Sequence, residues 1–309
     1  MVKLGVVITA ATLAILVAEF LRHRKHALPL YGWAGLAALV AAEFLMFRGV
    51  EPVATYFTPI AWTAYIFLAD AAVRAVTGSS RLTRAPREFA MVALLSVPLW
   101  FIFEAYNLRL ENWMYVGLPK NLAARYFGYA WSFATITPGI FVTADLIESF
   151  GWFAAAKPVK FSLAAQHWMT AFGALCLVVP LVLPREAAAY LFAPVWLGFV
   201  FLLDPVNYRL RLASLLGDLA EGRRARLYAL MISGWVCGFL WEFWNYWAAA
   251  KWVYVLPMFQ RWKIFEMPAP GYLGFLPFAL ECFTMYVLAA WLLGRLRPAL
   301  RASTSMSQE

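Results

Sequence analysis

Nine apolar runs follow one another along the chain, near 2–20, 30–47, 57–76, 90–108, 128–147, 163–183, 189–206, 227–248 and 271–293. Each is long enough to cross a bilayer core of roughly 30 Å as a helix rising about 1.5 Å per residue. Hydrocarbon offers no water to unpaired backbone groups, so runs of this kind are restricted to helices. Composition points the same way: 63% of the residues are hydrophobic and 14% are charged, against roughly a quarter charged in a soluble domain. The expected fold is an all-α polytopic membrane protein with about nine transmembrane helices.

In a soluble chain a net charge of +9 would raise the question of nucleic acid. Here the basic residues lie between apolar runs, so they report orientation and no nucleic-acid partner is expected. Clusters at 22–25, 74–87, 157–160, 209–226 and 295–301 fall in alternate loops. The positive-inside rule then predicts an outer N-terminus and an inner C-terminus in the inner (cytoplasmic) membrane. The first run is read as a retained helix, because its basic cluster follows the apolar stretch, whereas a cleaved signal carries it in front.

The chain repeats itself. "WFIFEAYNLRLENWMY" (100–115) matches "GFLWEFWNYWAAAKWVY" (238–254): each has Glu, Asn three residues on, then Trp-x-Tyr. Upstream, "TPIAWTAYIFLAD" (58–70) matches "APVWLGFVFLLD" (193–204). Four helices per copy give both copies one orientation, a parallel duplication. The expected organisation is an N-terminal helix and basic loop (1–28), a first membrane repeat (29–156), and a second repeat with a basic tail (157–309). The aromatic segments 109–127 and 249–270 are expected at headgroup level as interfacial or re-entrant caps.

Polar groups inside the apolar runs are few. Glu104 and Asn107, and likewise Glu242 and Asn245, are spaced to share a helix face, and Glu281 lies in the ninth run. A carboxyl group in hydrocarbon must be protonated, paired or facing a polar cavity, and a neutral acid in a dry pocket is what general-acid chemistry needs. The plainer reading is interhelical hydrogen bonding between the two halves. Asp70, Asp204, Asp145 and Glu148 sit near helix ends beside basic loops and are expected in ion pairs. Lys251 is expected to snorkel, and His167 to be a hydrogen-bonded packing residue. Cys176, Cys237 and Cys282 read as small apolar packing residues. The His, Cys and carboxylate spacing matches no zinc site, a bis-His haem is excluded for want of a second intramembrane histidine, and no phosphate loop or dinucleotide fingerprint occurs. No metal or cofactor is expected.

The stretch "NYWAAAKWVY…GYLGFLPFALECFTMY" resembles the membrane lycopene cyclase domain of carotenoid biosynthesis, which occurs in tandem or heterodimeric form. That family has Pro-x-Glu-Glu where this chain has Pro277 and, four residues on, the single Glu281; Pro138 of the first copy has no nearby glutamate. Asn107 and Asn245 stand where the family has an acidic or polar residue. The resemblance implies an isomerase that cyclises an isoprenoid polyene without a redox cofactor. Acid-started cyclisation needs a proton donor, aromatic faces for a cation and a terminating base. Glu242, Glu281 and Glu104, with Asn245 and Asn107 orienting them, are the candidate catalytic groups. Trp241, Trp244, Trp247, Trp252, Tyr254, Trp113 and Tyr115 are the candidate substrate-binding rings. The expected partners are membrane lipids and an apolar isoprenoid or carotenoid. The alternatives are a non-catalytic membrane subunit binding carotenoid, quinone or lipid within a complex, and, less favoured, a transporter.

Overall fold

The computed structural model describes residues 1–294; the basic tail with Arg295, Arg297 and Arg301 lies outside the described residues. The described chain is a helical bundle built on nine long helices. These are α1 (Val2–His23), α2 (Leu30–Phe47), α3 (Phe57–Thr77), α4 (Pro86–Leu110), α5 (Leu122–Ser149), α6 (Leu163–Val182), α7 (Phe192–Arg209), α8 (Ala225–Trp247) and α9 (Phe275–Leu292). Eight are long and apolar enough to cross a membrane, and the protein is an all-α polytopic membrane protein. The exception is α7, whose last turns carry Asp204, Asn207 and Arg209. It still spans the bundle: near its start Asn112 donates to the Ala189 carbonyl at 3.0 Å, and at its far end Asp204 caps the loop that leads to α8.

Helix pairing recurs in the two halves. In the first, α2 packs on α3, α3 on α5, and α4 on α5; in the second, α6 packs on α7, α7 on α9, and α8 on α9. The halves meet along α5 with α8 and α4 with α9, while α1 leans on α8. Lipid supplies no hydrophobic drive between helices, so close packing has to hold them. Gly173 of α6 shows how: a Cβ there would come within 2.3 Å of the α7 backbone at Leu202.

Both ends of the bundle carry matching devices. At one end β1 (Trp113–Val116) pairs antiparallel with β2 (Lys251–Tyr254), with Trp113 opposite Tyr254 and Tyr115 opposite Trp252. Equivalent residues thus exchange places about the Met114–Val253 pair, which lies on a local two-fold axis. Next to it β3 (Lys263–Ile264) and β4 (Met267–Pro268) form a second small ribbon. The aromatic segments 109–127 and 249–270 therefore form a strand cap. Their Trp-x-Tyr spacing is a period-two signal for strand rather than helix.

At the other end, Asp70 accepts from the Leu82 N–H at 3.1 Å and from the Tyr31 hydroxyl at 2.9 Å. Asp204 accepts from the Leu215 and Leu216 N–H groups, both at 2.8 Å. The expected ion pairs of these two aspartates are replaced by backbone capping of short loop helices (Arg81–Arg84 and Leu215–Ala220), where the free N–H groups of a helix start are available. Asp145 does form its ion pair, with Arg81 at 2.5 and 2.8 Å. Burial works against the Arg81 charge, and the Asp145 carboxylate outweighs it, holding the guanidinium above its ordinary pKa. His167 is exposed, not packed as expected, because its face of α6 points away from α7.

The strand register is testable. Partners in an antiparallel pair lie about 4.5–5.5 Å apart at Cα, within disulfide reach. Met114→Cys with Val253→Cys, in a chain given a protease site at 152–160, is expected to keep its two fragments joined under oxidation until reductant is added. Fragments that separate without reductant would refute the pairing.

Candidate functional site

The site begins at the last turns of α4 and α8. Asn107 and Asn245 face the strands that follow them. Asn245 Oδ1 accepts from the Trp252 N–H at 2.9 Å, and its Nδ2 donates to the Trp252 carbonyl at 2.8 Å. Asn107 does the same for Trp113, at 3.2 and 2.8 Å, and also accepts from the Asn112 N–H at 2.8 Å. A side-chain amide carries both a donor and an acceptor, so it can satisfy both backbone groups of one residue. Each strand is thereby fixed by the helix of its own half.

One turn earlier stand the carboxyl groups. Glu242 Oε1 accepts from the Tyr254 hydroxyl at 2.9 Å and the Trp252 indole at 3.4 Å. Glu104 Oε1 accepts from Tyr115 at 2.5 Å, Trp113 at 3.2 Å and Trp100 at 2.9 Å. The aromatic partners come from the Trp-x-Tyr strand of the same half and, for Glu104, also from Trp100 one turn back on α4, so neither glutamate bonds directly across the two halves. At this end of the bundle the strand pair joins the halves. Burial together with the neighbouring glutamate pushes the Tyr115 and Tyr254 hydroxyls well above their ordinary pKa. Both remain neutral donors throughout the physiological range.

These rings wall a cavity between the halves with an empty volume of about 1090 Å³. Trp113, Tyr115, Trp252, Tyr254 and Trp241 line it, joined by Trp100, Trp62 and Trp196. Trp62 and Trp196 are equivalent: each lies eight residues before its aspartate, Asp70 or Asp204. Trp62 packs on Trp241 at 4.9 Å between ring centres, and Trp196 stacks on Phe103 at 5.4 Å. The repeated Trp before Asp was legible in the matched segments and is the signal that would have placed both at the site.

The carboxyl groups stand behind this wall, not on it. Glu104, Glu242 and Glu281 are absent from the lining. Glu242 is fully buried, and among the described residues its Oε2 has no partner. Glu281 is also fully buried; Phe199 N–H of α7 donates to its Oε1 at 3.3 Å. It stands apart from the Glu242 group. Trp244 and Trp247 face elsewhere: Trp244 donates to Glu43 at 3.0 Å, and Trp247 sits half-exposed against Phe47. Lys251 reaches Glu266 at 3.0 Å and lies over the Tyr246 ring. Among the described residues no group of His, Cys, Asp and Glu could hold a metal ion.

Fold and site together define a polytopic α-helical membrane protein with an internal two-fold repeat and an aromatic cavity on its axis. No protein-family model, curated protein or solved structure matches the chain.

The clamp carries a stability expectation. Asn245→Ala strips both backbone partners from Trp252, a loss on the order of 3 kcal/mol. Asn121, whose side chain caps the exposed start of α5, is the control, worth about 1 kcal/mol on removal. Denaturant unfolding in detergent compares the two. Equal shifts for the two variants would rule out the clamp.

Proposed function

We propose that the protein binds an elongated apolar isoprenoid of the carotenoid class in the cavity between its halves and cyclises it by acid–base chemistry. The observation that carries this reading is the cavity wall itself. Fourteen of its 26 lining residues are aromatic, and two of its hydroxyls, Tyr254 and Tyr115, are each hydrogen-bonded to a glutamate, Glu242 fully buried and Glu104 partly buried. Trp241, Trp252 and Trp62 would offer π faces to a carbocation. Because Glu242 lies behind Tyr254, its proton travels in a relay. In the resting arrangement Tyr254 donates to Glu242; for turnover that hydrogen bond would reverse, the Glu242 acid protonating the Tyr254 oxygen as the Tyr254 hydroxyl, turned to the cavity, protonates a terminal double bond of the polyene. Ring closure moves the positive charge along the chain, and loss of a ring proton returns it through the same hydroxyl. Nothing is oxidised or reduced, and the product is an isomer of the substrate. An inner-membrane setting with an outer N-terminus would place the cavity towards the outer face, open to substrate from the lipid.

A second reading, a binding subunit without turnover, is favoured by one observation: among the described residues no Asp or Glu lines the cavity. Lipid extracts separate the two. Wild type, Glu242→Gln and Tyr254→Phe would be expressed in a host that makes linear carotenoids, and the extracts compared by mass spectrometry. Cyclisation is expected to give a product of unchanged mass and altered retention, reduced at least a hundredfold in both variants. Polyene co-purifying unchanged with all three proteins would overturn the enzyme and leave the binding subunit.

A further inference from the structure

The crevice between α3 and α8 has a counterpart between α7 and α4, and the two are closed differently. In the second half α6 lies against α4, and the Tyr106 hydroxyl donates to the Leu177 carbonyl at 3.0 Å. Trp244 and Glu43 hold the matching places: Trp244 follows its glutamate by two residues, as Tyr106 does, and Glu43 precedes Asp70 by the same 27 residues that separate Leu177 from Asp204. In the first half the backbone contact is lost. The Glu43 side chain reaches across instead, and Trp244 Nε1 donates to its Oε1 at 3.0 Å.

The space left by this gap is a groove with an empty volume of about 1550 Å³, bounded on its far side by α1. It follows α1 from Val6 to Leu21, about 22 Å of helix. Its lining is apolar except for five residues, one of them the exposed Trp33, ten residues from Glu43 on α2. Thr9 bonds to the Gly5 carbonyl, Tyr65 bonds to Thr143, and Trp244 is spent on Glu43. Among the described residues no donor reaches Glu43 Oε2. An acceptor left open in an apolar groove is costly until a donor meets it.

We propose that this groove is a second ligand site, which holds one long lipid chain ending in a hydrogen-bond donor, an alcohol or an amine, placed on Glu43 Oε2. The apolar walls take the chain along α1. The carboxyl group selects a donor head over an ester, an ether or a bare hydrocarbon, none of which can donate to it. The site is separate from the cavity between the halves, because Trp62 and Trp244, packed edge to face at 5.0 Å, stand between them. It does not depend on the cyclase reading.

The test uses the purified full-length protein in nanodiscs and four probes: geranylgeraniol, oleyl alcohol and the methyl ether of each. Bound probe is quantified by mass spectrometry. Wild type is expected to bind at least one alcohol about tenfold more tightly than its ether, the change that one hydrogen bond to a carboxyl acceptor makes. Whichever alcohol binds more tightly shows whether the chain is prenyl or acyl. Glu43→Leu, which installs the residue of the second half, is expected to bind alcohol and ether alike. Ala10→Phe fills the groove from an exposed position on α1 and is expected to lose both. Equal binding of alcohols and ethers by wild type, or unchanged binding by Ala10→Phe, would overturn the proposal.

Discussion

The strand end of the protein hangs on one requirement: a carboxyl group and an amide, three residues apart on a helix that ends among aromatic rings, must find donors and acceptors without water. The groups within reach are indole N–H, phenol O–H and the backbone of the chain that leaves the helix. Glu242 takes Trp252 and Tyr254, and Asn245 takes the Trp252 backbone. That choice fixes the next residues as an extended strand, since Trp and Tyr must both turn to the same side. The first half repeats the arrangement through Glu104 and Asn107. Two such strands in two halves related by a two-fold axis run antiparallel, so they pair. The pairing closes the bundle over the cavity. Satisfying two polar residues in each half therefore sets loop conformation, contact between the halves and the wall of the site together.

Departures from the symmetry are where one half gains a feature that the other lacks. Trp100 and Gly238 each precede their glutamate by four residues. The Trp100 indole binds Glu104, whereas a Cβ at Gly238 would come within 2.3 Å of the Phe275 ring. Phe275 thus occupies the space that a tryptophan would need, and the first turn of α9 settles against α8. Glu43 in place of Leu177 is the other departure, and it opens the groove beside α1. Among the described residues helix α1 has no counterpart in the second half, and the groove lies on its side. The extra helix and the extra carboxyl group belong to one local change.

Much of the fold was legible because membrane physics leaves few options. Length and apolarity alone located the nine helices, and the duplicated Glu-x-x-Asn and Trp-x-Tyr located the strand end. The strands themselves were harder to see. Four residues of alternating pattern, as in "WMYV" and "KWVY", are too short to read without a partner, and the partner lies more than a hundred residues away. Asp70 and Asp204 were misjudged because charge count favours arginine, while the loop geometry offers backbone N–H groups at a helix start, one to Asp70 and two to Asp204. Glu43 was passed over because nothing beside it in sequence is polar; its partner, Trp244, reaches it only in the fold. Trp244 and Trp247 looked like cavity residues from proximity to Glu242, yet helical rotation carries them to the opposite face.

The two glutamates of the strand end do not carry equal weight. Three donors converge on one oxygen of Glu104, and each stabilises an acceptor held in place. Loss of any one leaves two, so Glu104 is suited to hold β1. Glu242 has two donors on Oε1, one of them long at 3.4 Å, and an Oε2 that is buried without a partner among the described residues. An unmatched oxygen in a dry interior is a cost that packing alone does not explain. In the donors to these glutamates the two copies differ at one place: Trp100 gives Glu104 a third donor, and Gly238, at the matching position, gives Glu242 none. Within a single duplicated motif the second copy is the one whose carboxyl group keeps a buried oxygen without a partner among the described residues.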